Sequence, residues 1–306
     1  MTSRKAVRPA KADGLSVYLE SRRKLVERAL IRSVPREGVR PITIHCAMRH
    51  SLMAGGKRLR PILTVAAAEA CGVKGLQNIL PAACAVELIH TYSLVHDDLP
   101  CMDDDDLRRG IPTCHKVYGE GIAVLTGDAL LTRAFGLLSM VKPAKRYPLS
   151  QLLAETAEAA GSLQLIAGQV ADIEAEGKKL AIRDVRFIHE RKTAAMIVLS
   201  LRLGAMLADA SSSDLKALTE FGKALGLAFQ ILDDILDVTQ SSEQLGKSAG
   251  KDATASKATY PAVLGLDGAR REAARLTRLA HASLEVFGTK GARLKQLADL
   301  LLARTS

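Results

Sequence analysis

The chain has 306 residues, a net charge of +10 and a pI near 9.5. Hydrophobic residues make up 48% of it, but aromatic residues only 3%, and tryptophan is absent. The abundance of alanine and leucine favours helices packed on helices, and the scarcity of aromatic side chains argues against stacking on single-stranded nucleic acid. The positive charge alone does not choose between nucleic acid, a membrane surface and a phosphorylated metabolite. Five cysteines without a CxxC pair indicate neither a disulfide framework nor a zinc site, and favour a reducing cytoplasm.

Residues 1–12 are basic and polar without an apolar core, which predicts a flexible tail and not a secretory signal. Helical periodicity runs almost throughout residues 13–306, interrupted at glycines and prolines, and predicts ten or more helices. No linker or repeat is visible, and charges interrupt every apolar run before it could span a bilayer. The sequence therefore predicts one all-α domain, a helical bundle, with no membrane span.

The first acidic cluster is "HDDLPCMDDDDLRRG", residues 96–110. The segment before it has helical periodicity, but Pro100 disfavours a regular helix through this point. The chain must therefore turn between Asp98 and Asp103, which can bring Asp103 back toward Asp97. The other aspartates of the cluster, Asp104, Asp105 and Asp106, are as well suited to structural capping as to chemistry.

The second cluster, "FQILDDILDV", places four polar residues on one helix face at positions i, i+3, i+4 and i+7. These residues are Gln230, Asp233, Asp234 and Asp237. Such a stripe can be the solvated face of an amphipathic helix. However, a solvated face usually includes Lys or Glu, and three close carboxylates raise one another's pKa values unless a cation compensates them. Carboxylate oxygens without nitrogen or sulfur ligands favour Mg²⁺.

Basic residues occur in four short groups, "AGGKRLRP", "LRRG", "HERKTAAM" and "LGKSAGKD". Each group alone is compatible with an ordinary solvated surface. Together with two aspartate clusters, they favour a metal-bridged diphosphate, in which carboxylates hold Mg²⁺ while Mg²⁺, Lys and Arg hold phosphate oxygens.

From about residue 41 to 304 the chain resembles the all-trans isoprenyl (polyprenyl) diphosphate synthases, and bacterial farnesyl diphosphate synthases most of all. The motifs that carry the resemblance are "GGKRLRP", "ELIHTYSLVHDDLPCMDDDDLRRG", "AVLTGDALL", "GQVADI", "KTAAM", "GLAFQILDDILD" and "GKSAGKD". The resemblance implies the isoprenoid synthase fold, an all-α bundle around a central substrate cavity, and a homodimer. It also implies three Mg²⁺ ions that bridge the aspartates to an allylic diphosphate.

The resemblance also assigns roles to individual positions. The implied metal ligands and their supporting carboxylates are Asp97, Asp98, Asp103, Asp233, Asp234 and Asp237. The implied isopentenyl diphosphate site consists of Lys57, Arg60, His90 and Arg109. The groups implied to hold the allylic diphosphate and stabilise the cation are Arg108, Lys192, Thr193, Gln230 and Lys247. The implied reaction is ionisation, condensation and elimination, for which no side-chain nucleophile is needed.

Product length in this family is implied to depend on residues shortly before the first aspartate. Tyr92, five positions before Asp97, is an aromatic residue as in bacterial farnesyl diphosphate synthases, while its neighbour Ser93 is small. Farnesyl diphosphate is therefore the expected product and geranylgeranyl diphosphate the alternative. A Tyr92 side chain directed into the core would remove this basis for the expectation.

Three positions depart from the family pattern: His50, Arg133 and Gln164. These departures affect the expected depth of the chain pocket and the geometry of the dimer contact more than the expected reaction, because every charged motif position is intact. Other classes of protein fit less well. An inactive regulatory subunit would be expected to lose aspartates, a terpene cyclase typically lacks "GGKRLRP", and a nucleic-acid binder leaves the aspartate stripe unexplained.

Overall fold

The computed structural model describes residues 14–239 and 259–303. These residues form thirteen α-helices, one π-helical turn, one 3-10 segment and one two-stranded hairpin, which confirms the predicted all-α class. The first six helices are α1 (Gly14–Ser33), α2 (Ile42–Leu52), α3 (Leu59–Ala70), α4 (Leu80–Asp97), α5 (Cys114–Tyr118) and α6 (Glu120–Leu138). The others are α7 (Leu149–Ala160), α8 (Leu165–Ala175), α9 (Ile182–His189), α10 (Ala195–Leu207), α11 (Ser212–Thr239), α12 (Tyr260–Ser283) and α13 (Ala292–Leu302).

Helix α4 lies at the centre of the bundle. Its residues 82–89 are all buried, so it has no solvated face over two turns. It packs against α6, α3 and α1, while α10 packs against α3 and α11, and α11 against α12. The two helices that carry the acidic clusters, α4 and α11, are therefore both core helices joined through α10.

Helix α6 has the length and composition of a possible membrane span, as the only such helix within the described parts of the chain. Asp128 and Arg133 nevertheless interrupt it, and one face, which includes Leu130, Ala134 and Leu138, is buried against neighbouring helices. It packs against α4, α2 and α5. Burial of this face, as in a core helix, accounts for the apolar residues on it, whereas Val124 and Leu125 on the same helix are exposed.

A short hairpin begins at the end of the first acidic cluster, and periodicity did not predict it. Strands β1 (Leu107–Arg108) and β2 (Ile111–Pro112) are antiparallel, and Arg108 pairs with Ile111. The two loop residues, Arg109 and Gly110, have φ of 54° and 82°. Positive φ at both central positions is the backbone of a type I′ turn, in which glycine is favoured. The turn sends the neighbouring side chains Arg108 and Arg109 to different partners.

Residues 1–12, predicted as a flexible tail, and Lys247, predicted to bind diphosphate, lie outside the described residues.

Candidate active site

The turn after α4 brings Asp97 and Asp103 of the first acidic cluster together. Asp103 N donates a hydrogen bond to Asp97 O at 2.8 Å, and Asp104 N donates to Leu99 O at 3.1 Å. The chain thus turns back between Asp98 and Asp103, as the sequence predicted. Asp104 has a φ of 46°, which shows how tight the turn is.

The Asp97 carboxyl lies in an environment that disfavours its charge. Burial raises its pKa to about 6; Lys192 and Arg108 act to lower the pKa, while Asp103 and Asp98 raise it further. Burial makes the charged form of this carboxylate unfavourable, so a bound cation would stabilise it strongly.

The second aspartate, Asp98, is 3% exposed and paired with Arg108. Arg108 Nε donates to Asp98 Oδ1 at 2.9 Å, Nη2 reaches the same oxygen, and Nη2 also donates to Asp105 Oδ2 at 3.2 Å. Burial raises the pKa of Asp98 and the Arg108 hydrogen bond opposes this shift. Asp98, predicted to support a metal ion, and Arg108, predicted to bind a diphosphate, thus form an ion pair with each other.

Three residues predicted to bind isopentenyl diphosphate form one basic cluster. Burial lowers the pKa of His90 well below its usual value, and Arg60 and Arg109 lower it further. The imidazole is therefore neutral and can accept or donate a hydrogen bond without adding charge. Burial, with an added contribution from Arg109, also lowers the pKa of Arg60, and its Nε has no hydrogen-bond partner among the described residues. Lys57 is exposed on the adjoining loop.

The loop before α3 is shaped by glycine and by a buried ion pair. A Cβ on Gly56, which has φ of 119°, would lie 2.4 Å from Arg109 Nη1, so only glycine leaves room for this guanidinium. Arg58, also in the left-handed region, donates from Nη1 to Glu87 Oε1 at 2.9 Å and from Nη2 to Leu52 O at 2.7 Å. Arg58 and Glu87 are both 2% exposed, so this pair ties the loop to α4 inside the core.

The second acidic motif lies on α11 as predicted, but its members are not equally accessible. Asp234 is 3% exposed and Asp237 is buried, whereas Asp233 and Gln230 are partly exposed. The stripe is therefore a polar seam in the interior and not a solvated helix face. Gln230 Oε1 accepts a hydrogen bond from Thr193 Oγ1 at 2.9 Å.

Lys192 and Thr193 are presented by a π-helical turn, Glu190–Ala194, between α9 and α10. Lys192 Nζ lies 2.7 Å from Asp172 Oδ2 on α8. A Cβ on Gly168 would lie 2.3 Å from Lys192 N, so α8 approaches this turn closely. Such π turns occur frequently at functional sites. Lys192, Thr193 and Gln230 thus link the two aspartate motifs.

Tyr92, the predicted floor of the chain pocket, is 6% exposed on α4. Its hydroxyl lies 3.5 Å from Ala160 O at the end of α7, and its ring meets the His96 ring edge-on at 5.9 Å. Burial, with an added contribution from Asp97, raises its pKa to about 12. Ser93 Oγ donates to His90 O at 3.0 Å.

The three departures from the family pattern have separate surroundings. His50 Nε2 lies 2.8 Å from Pro112 O in the hairpin, and Arg133 Nε donates to Ser33 O. Gln164 lines a cavity of about 730 Å³ between α7, α9, α10 and α11, together with the side chains of Arg191 and Arg202. None of the predicted site residues lines this cavity.

Sequence reasoning missed four residues that hold the site together: Glu87, Asp172, His189 and Tyr260. Glu87 and Asp172 stand inside the quoted motifs "ELIH" and "GQVADI", so their charge next to predicted site residues was an available signal. His189 and Tyr260 contact Asp234, and no spacing in the sequence indicates this.

The residues present fit a hard cation. Asp97 and Asp103 are adjacent, carboxylates are the ligands that Mg²⁺ prefers, and the raised pKa of Asp97 shows a charge that the protein alone does not compensate. Another group that could hold a metal, Asp104, Asp106 and His115, has its ligand atoms within 4.8 Å of one another. Lys116 Nζ already lies 2.7 Å from Asp106 Oδ1 in this group.

Comparisons with known proteins agree with this geometry. The polyprenyl synthetase family profile matches residues 42–290. A farnesyl diphosphate synthase of Geobacillus stearothermophilus is 46% identical over 291 residues, covering 94% of this chain and 97% of the relative. A chloroplastic geranylgeranyl pyrophosphate synthase of Capsicum annuum is 50% identical over 270 residues, covering 86% of this chain and 72% of the relative. The crystal structure of an FPP/GFPP synthase from Zymomonas mobilis superposes with a TM-score of 0.82 at 32% identity. The match covers 94% of this chain and 98% of the Zymomonas chain. With two aspartate motifs joined through basic residues in an all-α bundle, the chain is a prenyltransferase and belongs to the polyprenyl synthetase family.

Proposed function

We propose that the protein condenses isopentenyl diphosphate with dimethylallyl and geranyl diphosphates to give farnesyl diphosphate, releasing pyrophosphate. The observation that carries the proposal is the linkage of the two aspartate motifs. Lys192 lies close enough to Asp97 to influence its pKa, and the adjacent Thr193 is hydrogen-bonded to Gln230 of the second motif. The family is Mg²⁺-dependent.

In this proposal Asp97, Asp103 and Asp233 would hold three Mg²⁺ ions, with support from Asp98 and Asp237. Magnesium, when bound, would neutralise charge on the allylic diphosphate. Arg108, Lys192 and Lys247 bind that diphosphate. Lys57, Arg60 and Arg109 bind isopentenyl diphosphate beside a neutral His90, which contributes a hydrogen bond.

The chemistry requires positioning and charge stabilisation more than proton transfer by a side chain. The allylic C1–O bond breaks, the isopentenyl double bond attacks C1, and the departing pyrophosphate accepts the proton that elimination releases. In this proposal the oxygen atoms of Thr193 and Gln230, which are hydrogen-bonded to each other, stabilise the positive charge that develops on the allylic substrate. The absence of a nucleophile with a partner base in the motifs is consistent with this route.

The C15 product is supported by the farnesyl diphosphate synthase relative at 46% identity and by the aromatic residue at position 92, although the Tyr92 side chain is buried in the core against the end of α7. A C20 product is the second candidate. Its support is the small side chain of Ser93 beside Tyr92, and the geranylgeranyl synthase relative at 50% identity.

The test is incubation of the purified protein with Mg²⁺, isopentenyl diphosphate and, separately, dimethylallyl, geranyl and farnesyl diphosphates. Products are resolved by chain length. A C15 end point, with farnesyl diphosphate not extended, is expected. A C20 end point would replace farnesyl by geranylgeranyl diphosphate, and no Mg²⁺-dependent condensation would refute the proposed activity.

Tyr92→Ala is expected to lengthen the product by at least one C5 unit, because truncation removes the side chain that closes the gap to α7. The matched control is Tyr147→Ala. Tyr147 is also buried, and its hydroxyl donates to Ala210 O at 2.8 Å, remote from the motifs. The control should lose stability without changing product length. If Tyr92→Ala gave the wild-type product distribution, Tyr92 would not be the floor.

We further propose a homodimer in the cytoplasm. Val117, Val124 and Leu125 on α5 and α6 are between 42% and 55% exposed and form an apolar surface that a second copy would cover. All five cysteines are unpaired, as expected in a reducing compartment. Light scattering after size-exclusion chromatography tests the dimer, and a monomer that persists at micromolar concentration would contradict it.

A further inference from the structure

Asp234 is bound to protein groups on both sides of its carboxylate. Its Oδ1 accepts a hydrogen bond from Gln230 Nε2 at 3.4 Å, one helical turn earlier on α11. Its Oδ2 accepts a hydrogen bond from Tyr260 N at 3.0 Å, at the first residue of α12. Tyr260 N is the first amide of the short helical stretch that precedes the break at Gly265, where φ is 70°. At 3% exposure, Asp234 has little of the access to solvent that its neighbour Asp233 retains.

His189 and Tyr260 enclose this carboxylate. His189 ends α9 immediately before the π-helical turn, and its Nε2 lies 3.6 Å from Asp234 Oδ2. Its ring stacks on that of Tyr260, with centroids 5.4 Å apart and planes 20° apart. Asp234 therefore lies where α9, α11 and α12 meet. A carboxylate in this position connects the helices to one another.

The direction of each hydrogen bond follows from the chemistry of Asp234. An ionised carboxylate only accepts hydrogen bonds, so Gln230 must direct its NH₂ group toward Asp234. Gln230 Oε1 then faces Thr193, and the Thr193 hydroxyl must donate its proton to that oxygen at 2.9 Å. The Thr193 oxygen is left with its lone pairs directed elsewhere.

We propose that Asp234 is a positioning residue and not a metal ligand, and that it fixes the Gln230 amide and the Thr193 hydroxyl in the orientation that the reaction uses. This replaces the sequence-based prediction that Asp234 supports a metal ion. The inference rests on the proposed function, since Thr193 and Gln230 act on the allylic substrate only there. Asp233, partly exposed on the same helix, keeps its predicted metal role.

Asp234→Asn tests the inference because it preserves volume and reverses the hydrogen-bond chain. The amide oxygen of the substituted side chain must remain on Tyr260 N, so its NH₂ group faces Gln230. Gln230 then rotates its amide, and Thr193 becomes the acceptor. We expect kcat to fall roughly ten- to hundred-fold, as for loss of one or two oriented hydrogen bonds, with the Mg²⁺ concentration for half-maximal activity unchanged. Asp233→Asn should raise that Mg²⁺ concentration.

Gln230→Glu provides the rescue. In the double variant Asp234→Asn/Gln230→Glu, the carboxylate at position 230 accepts from both neighbours, and Thr193 donates again. Charge and volume of the pair equal those of the wild type. The double variant should therefore be more active than the product of the two single effects predicts, by about ten-fold. Purely multiplicative effects would overturn the orienting role.

A binding measurement separates this inference from the proposed function. The shift in melting temperature caused by Mg²⁺ with inorganic pyrophosphate should match wild type in Asp234→Asn and be reduced in Asp233→Asn. Loss of the shift in both variants would make Asp234 part of the metal site and overturn the inference. This measurement decides the point even if the wild-type protein shows no condensation, which would refute the proposed function alone.

Discussion

Replacement of Asp97 by asparagine should make the metal-free protein more stable. Asp97 ends α4, where burial raises its pKa from an ordinary 3.8 to about 6, with Asp103 and Asp98 adding to the effect. Above pH 6 the folded protein must keep this carboxylate charged in an unfavourable environment. Asparagine has nearly the same shape without the charge, so Asp97→Asn removes the cost in the absence of Mg²⁺.

The displacement of the Asp97 pKa corresponds to about 3 kcal/mol at neutral pH. Because the side chain is partly exposed, solvent screening reduces this to about 2 kcal/mol. The folded state binds the proton more tightly than the unfolded chain, so the stability of the wild type falls as pH rises from about 4 to about 6. The advantage of Asp97→Asn is then complete at pH 7.5, about half as large at pH 5, and small below pH 4.

The assay is thermal unfolding in EDTA at pH 7.5 and pH 5. A gain of about 2 kcal/mol should raise the Tm of Asp97→Asn by about 4 °C at pH 7.5. The control is Asp106→Asn on the same loop, where Lys116 lowers the carboxyl pKa, so no gain is expected. A Tm at pH 7.5 no higher than that of the wild type, or an increase equally large at both pH values, would refute the reasoning. Mg²⁺ with pyrophosphate should stabilise only the wild type and the control.

Two further predictions concern the loop before α3. Glu87→Gln should lower the free energy of unfolding by about 3 kcal/mol, because Arg58 is left buried without a countercharge; an unchanged urea midpoint would contradict this. Gly56→Ala should raise the KM for isopentenyl diphosphate more than that for the allylic substrate, because the new Cβ displaces Arg109. Gly55→Ala, with the same sign of φ but no atom within 4 Å of its Cβ, is the control, and equal KM changes in both variants would exclude the displacement.

Helical periodicity was sufficient for the fold class and for the stripe on α11. The i, i+3, i+4, i+7 spacing depends only on the local helix geometry, and the structure keeps all four residues on one helix. It could not show that Asp234 is capped by Tyr260 N, 26 residues away, or that His189 faces the same carboxylate. Those contacts depend on how three helices pack, which local spacing does not encode.

The hairpin after the first motif was missed for a different reason. Strands of two residues are too short for alternation, and only Gly110 in the turn indicates the reversal. The pairing of Arg108 with Asp98 was missed because Arg108 was predicted to bind the allylic diphosphate and Asp98 to support a metal ion. A sequence shows which groups suit metal or diphosphate, but not which of them bind each other before the ligands arrive.

The pairs Arg108–Asp98 and Lys192–Asp172 have a consequence for ligand entry. Each of these two predicted diphosphate-binding cations has a carboxylate as its counter-ion within the protein, so both of these positive charges are compensated before ligands bind. A metal ion alone would compete with arginine or lysine, and a diphosphate alone would leave a carboxylate bare. When both arrive together, the cations transfer to phosphate oxygens and the carboxylates face the metal. Ligand binding is then an exchange of ion-pair partners, which favours cooperative uptake of metal and diphosphate.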